Sequence, residues 1–140
     1  MINITVSNLQ SKVPIPAKRA RELARKIIRK ESRLKRGYIN ICFTDDKLIA
    51  KLNARFLKTR GPTDVIAFNL DKGRRGADLS ADIAISAERA INNARRFKNT
   101  CGKELLLYVA HGILHILGFD DRSRQQAKLM RKKENEYVNR

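Results

Sequence analysis

The sequence predicts an α+β fold: one domain over residues 1–140, with a small four-stranded mixed sheet packed against about five helices. Three observations carry that expectation. Short stretches alternate apolar and polar residues with a period of two, the pattern of strands buried on one face. Longer stretches place apolar residues three and four apart, the stripe of helices packed on a core. The elements come in the order strand, helix, strand, helix, strand, strand, helix, helix, helix. The opening strand-helix-strand unit calls for a right-handed crossover between parallel strands. A hydrophobic share of 42% over 140 residues is enough for one core. No repeat, low-complexity tract or linker divides the chain.

Ile2, Ile4 and Val6 alternate with Asn3, Thr5 and Ser7, giving the first strand. Pro14 and Pro16 mark the connection, and Pro16 can open a helix, where a missing N–H costs nothing. From 17 to about 31 the buried stripe is Ala20, Leu23, Ala24, Ile27 and Ile28. After Gly37, residues 38–43 read as the second strand. Thr44 or Asp45 can cap the second helix, with Asp45 and Asp46 near its positive end and Leu48, Ile49, Leu52 and Phe56 as its stripe. Gly61-Pro62 is a turn and 63–68 a third strand. A basic loop from Lys72 to Gly76 leads to a fourth strand over 81–85. Ser86 caps a helix with the stripe Ala87, Ala90, Ile91, Ala94 and Phe97. Asn99 to Gly102 is a short break before 103–117, apolar on nearly every side and so the central buried helix. A last helix covers about 122–138.

Charge bounds the function. There are 31 Lys+Arg against 14 Asp+Glu, a net +17, more than solubility requires. Residues 18–36 carry ten Lys/Arg and two Glu, and residues 122–140 carry seven and two. Such one-sided charge points to a polyanionic partner, nucleic acid first and an anionic membrane surface second. No run approaches ~18 consecutive apolar residues, so no membrane span is expected. Met1 to Val6 lack the basic start and long apolar core of a secretory signal. Cys42 and Cys101 form no Cys-x-x-Cys pair, and the expectation is two buried free thiols in a reducing cytoplasm.

The chemistry concentrates in His111-Gly112-Ile113-Leu114-His115-Ile116-Leu117-Gly118-Phe119-Asp120-Asp121, which holds the only two histidines. They stand four residues apart, a little over one helical turn, so both imidazoles project from one face. Gly118 lets the chain reverse, and two carboxylates follow. With Asp121, the pair offers three ligands and leaves the fourth position of a tetrahedral zinc open for water, the mark of a catalytic site. The segment is a zincin-like metal-binding helix, but it departs from the His-Glu-x-x-His of metalloproteases. Gly112 stands where the protease has its general base, so peptide hydrolysis has no obvious proton acceptor. A phosphodiester asks instead for a Lewis acid, an activated water and cationic groups, and this chain has many arginines.

Several further blocks accompany this one. They are Leu52-Asn53-Ala54-Arg55-Phe56, Pro62-Thr63-Asp64-Val65-Ile66-Ala67-Phe68, Leu79-Ser80-Ala81-Asp82-Ile83, and Met130 with Glu134. Together with His111 to Asp121 they resemble the bacterial YbeY-type rRNA maturation endoribonucleases over about residues 40–135. The family's hallmark is His-Gly-x-Leu-His-Leu-x-Gly-Tyr-Asp-His. Its other blocks are Leu-Asn-x-x-Tyr-Arg, Pro-Thr-Asp-Val-Leu-Ser-Phe, Leu-Gly-Asp-Ile and a late Met-x-x-x-Glu. Each block alone is weak, and the set is specific.

The resemblance implies a cytoplasmic, zinc-dependent endoribonuclease of single-stranded RNA. It implies roles in 16S rRNA 3′-end processing and ribosome quality control, with rRNA precursor and ribosomal particles as partners. It also implies that Arg55 lies near the metal and steadies the substrate phosphate or transition state. Asp64 and Asp82 would hold strand ends beside the site. One departure stands out: the family's third ligand is a histidine, and Asp121 occupies that position. Aspartate ligates zinc, adds negative charge, lowers the ion's Lewis acidity and suits manganese or magnesium better. The expected set is one Zn2+, or another divalent metal, on His111, His115 and Asp121. Asp120 would either support a ligand or be an alternative one. Two other readings stay open: a non-catalytic RNA-binding ribosome-assembly factor with a structural metal, and a metal-dependent hydrolase of another substrate.

Overall fold

In the computed structural model, residues 2–54, 65–69 and 79–139 are described. Among them the elements are β1 (Ile2–Asn8), α1 (Ala17–Glu31), β2 (Gly37–Thr44), α2 (Asp46–Leu52), β3 (Val65–Asn69), β4 (Leu79–Ser86), α3 (Ala87–Arg96), α4 (Cys101–Ile116) and α5 (Arg124–Val138). Type and order match the sequence pattern throughout. The α+β architecture, a four-stranded mixed sheet with five helices, is the expected one. Phe56, the Gly61-Pro62 turn, Asp64, the Lys72 to Gly76 loop and Arg55 lie outside the described residues.

The strands lie in the order β1-β2-β4-β3. β1, β2 and β4 run parallel, with Ile4 opposite Ile39 and Ile41 opposite Ile83. β3 closes one edge antiparallel to β4. Alternation divides the sheet into two unlike faces. Ile4, Ile39, Ile41, Phe43, Ile83 and Ile85 point into the main core with α1 and α4. On the other face Ile49 of α2 packs with Ile66 and Ala84. That face is otherwise polar: Thr5 donates to Asn40 at 2.9 Å, and Asn40 bonds Asp82. Asp82 therefore sits mid-strand on the face away from α4, not at a strand end beside the histidines. Burial pushes its carboxyl up, against the hydrogen bond from Asn40.

α4 is the central helix, in contact with α1, α3, α5, β3 and β4. Leu105, Leu106, Val109, Ala110, Ile113 and Leu114 are all buried. Its approach to the sheet is set by Gly112, where a Cβ would stand 2.8 Å from Cγ2 of Ile83. α1 buries all five residues of its predicted stripe.

Capping moves several boundaries. α4 starts at Cys101 rather than 103 because Thr100 accepts from the Lys103 N–H at 3.1 Å. α5 starts at Arg124 rather than 122 because Ser123 and Gln126 form a reciprocal capping box. Asp45, not Thr44, caps α2. Phe97 leaves the predicted stripe of α3: the helix ends at Arg96, and the ring is 63% exposed under the Arg96 guanidinium. The two cysteines are free but only partly buried, and burial raises the pKa of both thiols.

Candidate metal centre

The site is built where α4 ends. Gly118 has φ +107°, which L side chains rarely adopt. Its N–H bonds the His115 carbonyl and the Phe119 N–H bonds the Leu114 carbonyl, both at 3.1 Å. That pair of bonds is a Schellman turn. It folds the chain back so that the Phe119 carbonyl lies 3.1 Å from Nδ1 of His115. A carbonyl can only accept, so this nitrogen donates and Nε2 of His115 keeps its lone pair.

His111 is fixed from another direction. Glu134 on α5 places Oε2 2.9 Å from Nδ1 of His111. The carboxylate accepts, so Nδ1 donates, and in the neutral ring that binds metal the lone pair is on Nε2. That atom faces Oδ2 of Asp121 at 3.7 Å. The rings of His111 and His115 lie nearly parallel with centroids 6.2 Å apart, as spacing of four on one helix face requires.

Lys133, next to Glu134, extends the support. Its Nζ lies 2.9 and 3.1 Å from the Glu31 carboxylate oxygens at the end of α1, and 5.2 Å from the Phe119 ring centroid. Tyr137 also donates to Glu31. Burial pushes the Glu31 carboxyl up, but the Tyr137 hydroxyl and Lys133 ammonium outweigh it and leave the pKa below its ordinary value. Two adjacent residues of α5 thus brace both histidines, Glu134 directly and Lys133 through Phe119.

Beside His111 opens a cleft of about 520 Å³ between β3, α3, α4 and α5. Asn93, Tyr108, Asp121, Arg131, Glu134 and Asn135 contribute polar groups to it. Asn93 donates to the Tyr108 hydroxyl, which ties α3 to α4 at its wall.

Of the predicted site residues, the fold brings His111, His115 and Asp121 to one end of α4. Asp120 turns away: one carboxylate oxygen accepts from the Asp121 N–H at 2.8 Å and the other faces Arg122 at 3.1 Å. Arg55 lies outside the described residues. Among those residues no three His, Cys, Asp or Glu side chains already converge closely enough to enclose a metal ion. Glu134, Lys133 and Arg131 were not singled out as site residues from the sequence. The one signal was Glu134 in the late Met-x-x-x-Glu block; Arg131 precedes it by three, on the same side of a helix.

Comparison with known proteins agrees with this architecture. A family model described as Endoribonuclease YbeY matches residues 5–140. A protein of that name from Flavobacterium johnsoniae is 40% identical over 102 residues, 73% of this chain and 71% of its own. Another, from Pelotomaculum thermopropionicum, is 30% identical over 145 residues, 98% of this chain and 95% of its own. A solution structure from Thermotoga maritima superposes with a TM-score of 0.62 at 31% identity, covering 99% of this chain and 87% of that one. The class these matches define is that of RNA-cleaving hydrolases. The chain belongs to the endoribonuclease YbeY family.

Proposed function

We propose that this protein is a metal-dependent endoribonuclease cutting single-stranded RNA. In this reading it acts in the cytoplasm on the 3′ end of 16S rRNA precursors and on ribosomal particles under quality control. Membership of the family supports the endoribonuclease role. Among the described residues no helix is long and apolar enough to cross a membrane.

The observation that carries the metal reading is the state of the two imidazoles. Each Nδ1–H is engaged by a fixed acceptor, Glu134 or the Phe119 carbonyl. Metal-binding histidines are held in this way, with the remaining nitrogen presented to the ion. Nε2 of His111 and the Asp121 carboxylate, both acceptors, face each other at 3.7 Å. The three side chains do not yet enclose an ion; two ligands of a tetrahedral zinc with bonds of ~2.0–2.1 Å stand roughly 3.4 Å apart, so this one pair needs a shift of a few tenths of an ångström. Asp121, 47% exposed on its loop, has the freedom to make it. His111, His115 and Asp121 would hold one Zn2+, or a harder divalent ion. When bound, the ion supplies a Lewis acid for a phosphoryl oxygen and lowers the pKa of a water.

The chain's own residues do the rest. Glu134 and the Phe119 carbonyl keep the imidazoles in the tautomer that binds. Arg131, with Asn93 and Asn135, offers the cleft a cation and amide groups for a phosphate. Arg55 does not keep the family register: the arginine position of the Leu-Asn-x-x-Tyr-Arg block is Leu57 here, and Arg55 stands two residues before it. Gly112 has no side chain to act as a base, and its face is packed against Ile83. The test is cleavage of a labelled single-stranded RNA by purified protein, with and without zinc. Cleavage should need the metal and vanish in the double variant His111→Ala, His115→Ala; undiminished cleavage by that variant would overturn the reading.

A further inference from the structure

A second groove of about 610 Å³ lies at the other edge of the sheet, where the end of α1 meets β1. Its rim is Arg25, Arg29, Arg33 and Lys35, and its floor includes Ile2 and Ile28. No described carboxylate lines it. The two acids of α1 face elsewhere: Glu22 pairs with Lys18, and Glu31 is held by Lys133 and Tyr137. Arg25 and Arg29 are one helical turn apart and Arg33 follows just past the helix end, all three exposed. Exposed guanidinium groups at regular intervals, with acids excluded, fit a chain of phosphates.

We infer that this groove is an RNA docking site separate from the cleft, in which Arg25, Arg29 and Arg33 hold the backbone of a strand cut elsewhere. The inference rests on the endoribonuclease reading for the identity of the polyanion. Membrane binding is disfavoured by packing. The apolar face of α1, with Ala20, Leu23, Ala24, Ile27 and Ile28, is buried in the core and has nothing left to insert.

The groove includes Ile2 of β1 and the cleft includes Val65 of β3, and these strands are opposite edges of the sheet. Three strand spacings across the sheet, about 14 Å, and six residues along it, about 20 Å, put them about 24 Å apart. At about 3.4 Å per stacked nucleotide, a stacked strand must be about seven nucleotides long to touch both. A trinucleotide cannot reach both, so the arginines should assist the cutting of long RNA and not of trinucleotides.

Fluorescence anisotropy with a long labelled oligouridylate, metal chelated, reads binding without cleavage. The triple variant Arg25→Gln, Arg29→Gln, Arg33→Gln should bind the long strand about tenfold more weakly or worse, and flatten the slope of log affinity against log salt by about 2. The corresponding triple lysine variant, which keeps the charge, should stay near wild type, and cleavage of triuridylate should not distinguish any of them. In cleavage assays the glutamine variant's defect should appear in KM for the long strand. Wild-type affinity of the glutamine variant for the long strand overturns the proposal. So does equal loss in the lysine variant, or arginine-dependent binding to phosphatidylglycerol vesicles without arginine-dependent binding to RNA. A wild-type protein that binds the long strand through these arginines but cuts no RNA contradicts the proposed activity and leaves the docking site standing.

Discussion

Glu134 decides how His111 can bind. Its carboxylate accepts the hydrogen bond from Nδ1–H and leaves Nε2 for an ion. Glu134→Ala should weaken zinc affinity about 10- to 100-fold. Glu134→Gln, which keeps an accepting oxygen, should lose less. Competition with a chromophoric chelator reads both, and equal affinity in all three proteins would remove Glu134 from the site. Glu31 makes a second prediction at this scale. Its pKa lies below the unfolded value of 4.5, so its bonds to Tyr137 and Lys133 stabilise the fold above that pH. The contribution fades as pH falls from 4.5 through the lowered folded value. Glu31→Gln should cost about 1–2 kcal/mol near pH 7, and urea melts should show the gap closing in acid. The residues legible in sequence were those close together in it. His111, His115 and Asp121 share one turn and its exit. Glu134 is 23 residues from His111, and only the packing of α5 against α4 brings them together.

Among the elements, α4 depends most on one position. Alanine at 112 would gain up to ~1 kcal/mol of helix propensity. It would also drive a methyl to 2.8 Å from Ile83 Cγ2, a branched atom with little room to yield. Gly112→Ala should therefore destabilise by about 1–3 kcal/mol, measured as a lowered urea midpoint at unchanged slope. A neutral or stabilising result would mean that the helix moves off the sheet at little cost. The same contact explains why this helix carries no glutamate after its first histidine: the position faces β4, not the site. Periodicity located elements such as β1, α1 and α3, because burial on one face dictates it, while α4, buried on nearly every side, stood out as a near-continuous apolar run. Boundaries slipped by about two residues where Thr100 and Ser123 act as caps, since a polar residue reads equally as loop or cap until its hydrogen bond is seen.

At the scale of the whole molecule, charge and architecture separate two tasks. The helical layer over one face carries the metal centre and cleft, while the basic end of α1 lies at the far edge. A net charge of +17 makes RNA binding steeply salt-dependent. With six or more phosphate contacts to a single strand, affinity should fall by about 300-fold or more between about 50 and 200 mM salt, and a flat response would argue against backbone contact. Composition showed the charge but not its placement, because which faces of α1 and α5 remain exposed depends on how they pack. The central claim is that His111, His115 and Asp121 hold a catalytic metal. Metal content of the purified protein, set beside His111→Ala with His115→Ala and beside Asp121→His, tests it most directly. The account predicts about one ion per chain in the wild type, at least as much in Asp121→His, and none in the double variant; no metal in either the wild type or Asp121→His would contradict it.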